Sequence, residues 1–171
     1  HKYDNATPQN GILVLNSTQG FTTDATGWNN TAPTSSVFSI GTGLYVNGSS
    51  NNFVAYCFSE VTGFSKFGSY TGNGSADGPF VYCGFRPRYV LTKRTDTTGN
   101  WFVWDTARNT YNVVGEELYP SLSNAGSTAT DLDVLSNGFK FRGTTADYNA
   151  SGGTYIFMAF AESPFNYSRA R

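Results

Sequence analysis

The apolar residues of this chain come in short runs, none longer than the seven residues at 155–161. Most of these runs alternate with polar residues and are bounded by Gly, Asn, Ser or Pro. A helix needs ten or more residues with a 3.6-residue apolar period, whereas short period-2 runs bounded by turn residues are the pattern of half-buried strands. Strands are expected at 12–15, 37–40, 44–46, 53–59, 65–70, 80–83, 89–93, 101–104, 138–142 and 155–161. Turn chemistry separates them at TGNGSADG (71–78), DTTGN (96–100), Ser136-Asn137-Gly138 and NASGG (149–153), where Asn and Gly tolerate positive φ. Only 111–122 offers a helical turn, and Gly115 and Pro120 within it oppose a longer helix. Strands this short and numerous close into two packed sheets, because one open sheet leaves an apolar face in water. The expected class is all-β: a two-sheet antiparallel β-sandwich of jelly-roll type, with under about a tenth of 30–165 in helix.

Alternation nominates Phe38, Phe53, Ala55, Cys57, Val90, Phe102, Phe139, Phe141, Ile156, Met158 and Phe160 as core. A length of 171 residues fits a single domain. Charged residues are 13% of the chain, against about 25% in an ordinary domain. Gly, Ser, Thr and Asn together supply 73 of the 171 residues, so the polar surface is built mostly from uncharged hydrogen-bonding groups. A net charge of −1 with scattered Lys and Arg provides no basic stripe for nucleic acid. No apolar stretch approaches the roughly 20 residues of a membrane-spanning helix, so no membrane insertion is expected. The sole histidine is His1, which leaves no histidine base and argues against a metal site. Cys57 and Cys83 lie in apolar strand contexts without a CxxC spacing. The first reading is two free, buried thiols, and the alternative is a disulfide between adjacent strands.

An internal repeat organises the chain. Residues 47–60 read NGSSNNFVAYCFSE and residues 149–162 read NASGGTYIFMAFAE. Without a gap, Phe53 falls on Tyr155, Val54 on Ile156 and Glu60 on Glu162. Upstream, Phe38, Ile40, Gly41 and Thr42 parallel Phe139, Phe141, Gly143 and Thr144 after a one-residue slip. The expected organisation is one sandwich domain over 1–171, made of a partial repeat (1–66), a fuller repeat (67–165) and a tail (166–171). The segment that precedes the motif in the second half has no counterpart in the first, and His1 aligns near Trp104. The chain therefore reads as the C-terminal part of a longer polypeptide, with strands beside the first half that expect a covering partner.

The motifs SKFGSYTGNG (65–74), GFRPRYVLTKR (84–94), NWFVWDTARN (100–109), LSNGFKFRG (135–143) and NASGGTYIFMAFAE (149–162) resemble, in order and spacing, a concanavalin A-like lectin/glucanase-type sandwich module of tailed-bacteriophage tail fibres and tailspikes. The resemblance implies a bacteriophage virion structural protein, assembled in the bacterial host cytoplasm and located in the virion. Within that class the expected role is a tail-fibre, receptor-binding module contacting host-surface glycan. The alternatives are capsid decoration or another purely structural virion role and, further off, a polysaccharide-cleaving tailspike. It also implies other virion proteins as partners and a homotrimer or another virion oligomer.

Catalysis is not expected. Glycoside hydrolysis needs two carboxylates about 5–10 Å apart, and Glu60, Glu116, Glu117 and Glu162 do not fall in the strand pattern that sandwich glucanases use. Asp131 and Asp133 alternate onto one face, but TDLD more often marks a solvated turn. No cofactor is expected. The best ligand-binding candidates lie in DATGWNNT (24–31): Asp24, Trp28, Asn29 and Asn30. There an indole stands among amides suited to sugar hydroxyls, unless Trp28 folds back onto the core. Tyr70, Asn73, Tyr111 and Tyr148 are weaker candidates. Asp105 and Arg108 are expected to form a local clip, and Glu60 and Glu162 to pair with backbone or Arg at the sheet rim.

Overall fold

The computed structural model describes residues 7–164. After a single 3-10 turn (Pro8–Asn10), the strands are β1 (Gly11–Ile12), β2 (Thr22–Thr23), β3 (Ser65–Thr71), β4 (Phe80–Tyr82), β5 (Pro87–Arg94), β6 (Trp101–Asp105), β7 (Val114–Glu117), β8 (Ser127–Leu135), β9 (Gly138–Phe141) and β10 (Thr154–Ala161). Three helical turns of four residues each join them: α1 (Ala25–Trp28), α2 (Leu44–Asn47) and α3 (Ala146–Asn149). Two four-stranded antiparallel sheets, ordered β3-β10-β5-β6 and β4-β9-β8-β7, form a sandwich. β1 and β2 form a separate small ribbon. The chain crosses between the sheets at β3–β4, β4–β5, β6–β7 and β9–β10; β5–β6, β7–β8 and β8–β9 are hairpins, and a long segment carrying α1 and α2 leads from β2 to β3. The β8–β9 hairpin closes through the two residues Ser136 and Asn137, since Leu135 pairs with Gly138.

The two faces of the first sheet explain its continuous apolar runs. Phe102 and Trp104 of β6, Val90 of β5, and Phe157 and Ala159 of β10 point between the sheets. There they meet Val81, Val114, Leu132, Val134, Phe139 and Phe141 of the second sheet. On the opposite face, Leu91, Trp101, Val103 and Ile156 form a second cluster, packed by Leu13, Tyr89 and Met158. A sheet covered on both faces reads as an unbroken hydrophobic strand. The cover on the outer face is the segment before α1, which is strapped down at several points. Trp101 Nε1 donates to Val14 O (2.9 Å), Lys93 Nζ to Thr18 O (3.1 Å), and Phe21 N to Thr95 O (2.8 Å).

The sequence expectations hold best in the second half. Strands form at 65–71, 80–82, 87–94, 101–105, 138–141 and 154–161, and Val90, Phe102, Phe139, Phe141 and Ile156 are buried. Met158 and Phe160 are only half-buried. In the first half, 12–15 shrinks to β1, 44–46 is helical, and 37–40 and 53–59 join no strand. Phe38, Phe53, Ala55 and Cys57 are exposed rather than core, because no sheet among the described residues lies against them. Both cysteines are free; Cys83 is buried as expected and Cys57 is exposed. The stretch 111–122 carries β7 rather than a helical turn. TDLD lies inside β8, the longest strand, rather than in a solvated turn. There the β7–β8 register shifts beside Val114.

Candidate functional site

α1 is built by its cap. Asp24 Oδ1 accepts from Thr26 N (2.8 Å), satisfying a donor that the first turn leaves orphaned, and from the Thr26 hydroxyl Oγ1 (2.6 Å). Asp24 also accepts from the Tyr45 hydroxyl. The bonds from Thr26 first, then from Tyr45, hold the Asp24 carboxyl below its ordinary range. The turn ends in two left-handed residues, Asn29 (φ 52°) and Asn30 (φ 47°), a conformation Asn tolerates better than most residues. Residues 41–43 pack tightly on this turn: Gly41 N donates to Gly27 O (2.8 Å), and a Cβ on Gly41 would sit 2.0 Å from Thr26 O.

The geometry splits the four sequence candidates. Trp28 reaches back, donating Nε1 to Gly11 O (3.1 Å) and meeting Phe38 edge-on at 6.3 Å. It lines a cleft of about 290 Å3 with Gly11, Ile12, Leu13, Trp101 and Ile156. Asp24, Asn29 and Asn30 do not line that cleft; Asp24 is occupied as a cap, and both asparagines are exposed turn residues. Trp101 was missed because WFVW reads as a core strand. Its indole lies on the outer face of the sheet, where only the packing of 11–14 turns a strand residue into a cleft wall. Both indole N–H groups bond backbone carbonyls, so both rings are fixed in orientation and the cleft offers mainly apolar wall.

A second cluster lies inside the sandwich. Asp131 and Glu117 are both buried. Asp131 Oδ1 accepts from the Tyr148 hydroxyl, while Glu117 Oε2 accepts from Ser127 Oγ (2.7 Å) and from the Tyr119 hydroxyl. Burial, then the neighbouring Glu117 carboxyl, pushes Asp131 up to about 7. Asp131 Oδ2 and Trp104 Nε1 are buried without a hydrogen-bond partner. Tyr148 itself stacks at 5.2 Å on Phe141, which places it in the core and not on a ligand surface. Nothing in the local sequence pairs Glu117 with Asp131; the β7–β8 hairpin does so.

Tyr70 donates to Tyr148 O (2.9 Å) and stacks on Tyr155 at 4.9 Å, so it too is structural. Asn73 binds the backbone of its own loop, donating to Asp77 O (2.9 Å), and Tyr111 is exposed. The expected clip forms, Arg108 Nε to Asp105 Oδ2 at 2.7 Å. So do the rim contacts: Glu162 pairs with Arg86 (2.7 Å), and Glu60 with Lys66 (3.2 Å) and with Phe67 N (3.2 Å). Among the described residues no group of three or more His, Cys, Asp or Glu is placed to hold a metal ion, and no helix is long and apolar enough to cross a membrane.

No curated protein and no solved structure matches this chain. Residues 2–164 match the family model described as Domain of unknown function (DUF7483), and the chain belongs to that family.

Proposed function

We propose that this protein is a non-catalytic surface module of a bacteriophage virion, of tail-fibre type, that contacts host-surface glycan at the Trp28 cleft. The observation that carries the binding reading is the pair of indoles, Trp28 and Trp101, lining one cleft outside the sandwich core with their N–H groups already committed to the backbone. A ring so fixed loses little entropy when a sugar face packs on it, and Trp28, the half-buried one of the two, offers that face while the buried Trp101 backs the cleft. The order of the fibre-like motifs and the charge-poor, hydroxyl- and amide-rich surface support the virion assignment. A hydrolytic role is disfavoured because Glu117 and Asp131 are enclosed in the sandwich, where a polymeric substrate and its attacking water do not reach them.

The test is adsorption of the purified protein to bacterial cells that bear or lack their surface polysaccharide, repeated with Trp28→Ala. The expected result is polysaccharide-dependent binding that weakens by about 1–3 kcal/mol in the variant, the range of an aromatic stacking contact. Polysaccharide-dependent binding that Trp28→Ala leaves intact moves the site elsewhere. Absence of binding to any polysaccharide-bearing strain leaves capsid decoration as the better reading. Release of reducing ends from the polysaccharide overturns the non-catalytic reading.

A further inference from the structure

The sequence repeat is also a repeat of local geometry, at a constant spacing of 102 residues. α2 and α3 are both four-residue turns. Each is preceded by an extended residue of nearly the same conformation (φ −59°, ψ 130° at Gly43; φ −58°, ψ 131° at Thr145) and followed by another (ψ 133° at Gly48; ψ 145° at Ala150). Asn47 N bonds Gly43 O as Asn149 N bonds Thr145 O, both at 2.8 Å. Asn47 Nδ2 donates to Gly41 O (3.0 Å) as Asn149 Nδ2 donates to Gly143 O (2.8 Å). Asn51 N bonds Gly48 O as Gly153 N bonds Ala150 O (3.2 and 3.0 Å). Even the left-handed residue recurs, Ser50 at φ 64° and Gly152 at φ 73°.

After this shared turn the two copies part. In the second copy the chain enters β10, which is paired by β3 on one side and β5 on the other. In the first copy, 53–59 carries the matching apolar pattern, yet it joins no strand and lies exposed, Phe53 at 48% and Val54 at 79%. Their counterparts Tyr155 and Ile156 are buried, as is Ala159, the counterpart of the exposed Cys57. A turn closed by its own hydrogen bonds keeps its shape alone, whereas a strand exists only when neighbours supply the ladder. The same holds for 37–40: the counterparts of Phe38 and Ile40, Phe139 and Phe141, are fully buried in β9.

We infer that residues 37–60 are the closing strands of a second unit of this same sandwich, and that 53–59 docks between strands of β3 and β5 type belonging to that unit. The occupant is thus defined by chemistry: two antiparallel strand edges over an apolar floor like that beneath β10. One position sets its fit. Gly68 of β3 faces Phe157, and a Cβ on Gly68 would lie 2.7 Å from that ring. The counterpart of Phe157 is Ala55, so the strand opposite Ala55 has room for a side chain where β3 requires glycine.

The test joins residues 61–102 of this chain, with Cys83→Ala in the added copy, ahead of His1. This supplies β3, β4, β5 and the start of β6 at the place the repeat demands. The readouts are labelling of Cys57 by a neutral thiol reagent, with the original Cys83 as the buried reference, and hydrogen exchange of the amides of 53–59. In the unmodified chain Cys57 labels fast and those amides exchange without protection. In the fusion, Cys57 labelling slows about a hundredfold and the amides become protected, as ladder formation requires. A second fusion with Gly68→Val in the added copy protects at least as well. A fusion with the added segment in shuffled order changes nothing. Equal labelling rates in the ordered and shuffled fusions overturn the inference, as does protection of 53–59 in the unmodified monomer. Concentration-dependent dimerisation of the unmodified chain that itself shields Cys57 also overturns it, by making a second copy the occupant.

Discussion

Replacing Asp131 by Asn is expected to change the shape of the stability–pH curve and not merely its height. In the folded protein the Asp131 carboxyl is held to about 7, against an ordinary 3.8, by burial first and the Glu117 carboxyl second. A folded pKa above the unfolded one means that the native state binds the extra proton. The site's contribution is therefore fully present below about pH 4, is lost as pH rises toward about 7, and is level above that. At about 1.4 kcal/mol per unit, the full shift corresponds to at most about 4 kcal/mol across the window. Local relaxation around the ionised carboxylate trims this, so about 2 kcal/mol is the smaller figure to expect from this site. Carboxyls held low, such as Asp24, Asp77, Asp96 and Asp105, act in the opposite sense, losing their contribution only as pH falls below the ordinary carboxyl range, outside the window. The assay is chemical denaturation at several pH values between about 4.5 and about 7.5. The wild type should lose stability as pH rises, and Asp131→Asn, which keeps the shape without the titration, should be close to flat. A wild-type curve that is flat or rises across this window, or a variant that keeps the wild-type slope, refutes the reasoning.

Phe139, fully buried and edge-on to Phe141 and Phe157 at 5.6 and 5.5 Å, should cost about 3–5 kcal/mol as Phe139→Ala, whereas Phe53→Ala in the same chain should cost under about 1 kcal/mol. Denaturant midpoints of the two variants check this contrast. Lys93 is buried, its Nζ bonded to Thr18 O and to Gly99 O (2.9 Å), and burial pulls its pKa down to about 8. The folded state thus holds fewer protons than the unfolded one between about pH 8 and about 10.5, and stability from this site rises with pH there. Lys93→Met should abolish that rise and free the 14–20 strap for faster hydrogen exchange.

The strands of the second half were legible because their faces announce themselves. WFVW and YIFMAF are apolar on both sides, as a sheet covered on both faces requires. β8 was not legible, because S-T-A-T-D carries no apolar period and only Leu132 and Val134 reach the core. Its burial of Asp131 comes with a register shift that no local pattern announces. The 53–59 segment teaches the reverse lesson. Its apolar pattern suggests a strand, yet an apolar period alone does not make one: the segment pairs with no strand among the described residues and its side chains stay exposed. For the cleft, Trp28 stood out as an indole among amides, but its partner Trp101 was hidden by belonging to a strand whose outer face is covered from far away in sequence.

Asn149 has a consequence for how the protein can be produced. Its side-chain amide is fully buried, donating to Ser75 O and Gly143 O (both 2.8 Å) and accepting from Asn73 N (2.9 Å), so it rivets the β3–β4 loop to the β9–β10 crossover. Yet Asn149-Ala150-Ser151 spells an acceptor site for N-linked glycosylation. Attachment of a glycan to Nδ2 removes a donor this joint needs and cannot be housed where the side chain lies. In a eukaryotic secretory pathway, the transferase and the closing of this crossover would race for the same nitrogen. Molecules modified first would be barred from the native state, so secreted material would divide into a folded fraction bare at Asn149 and a glycosylated fraction that never folds.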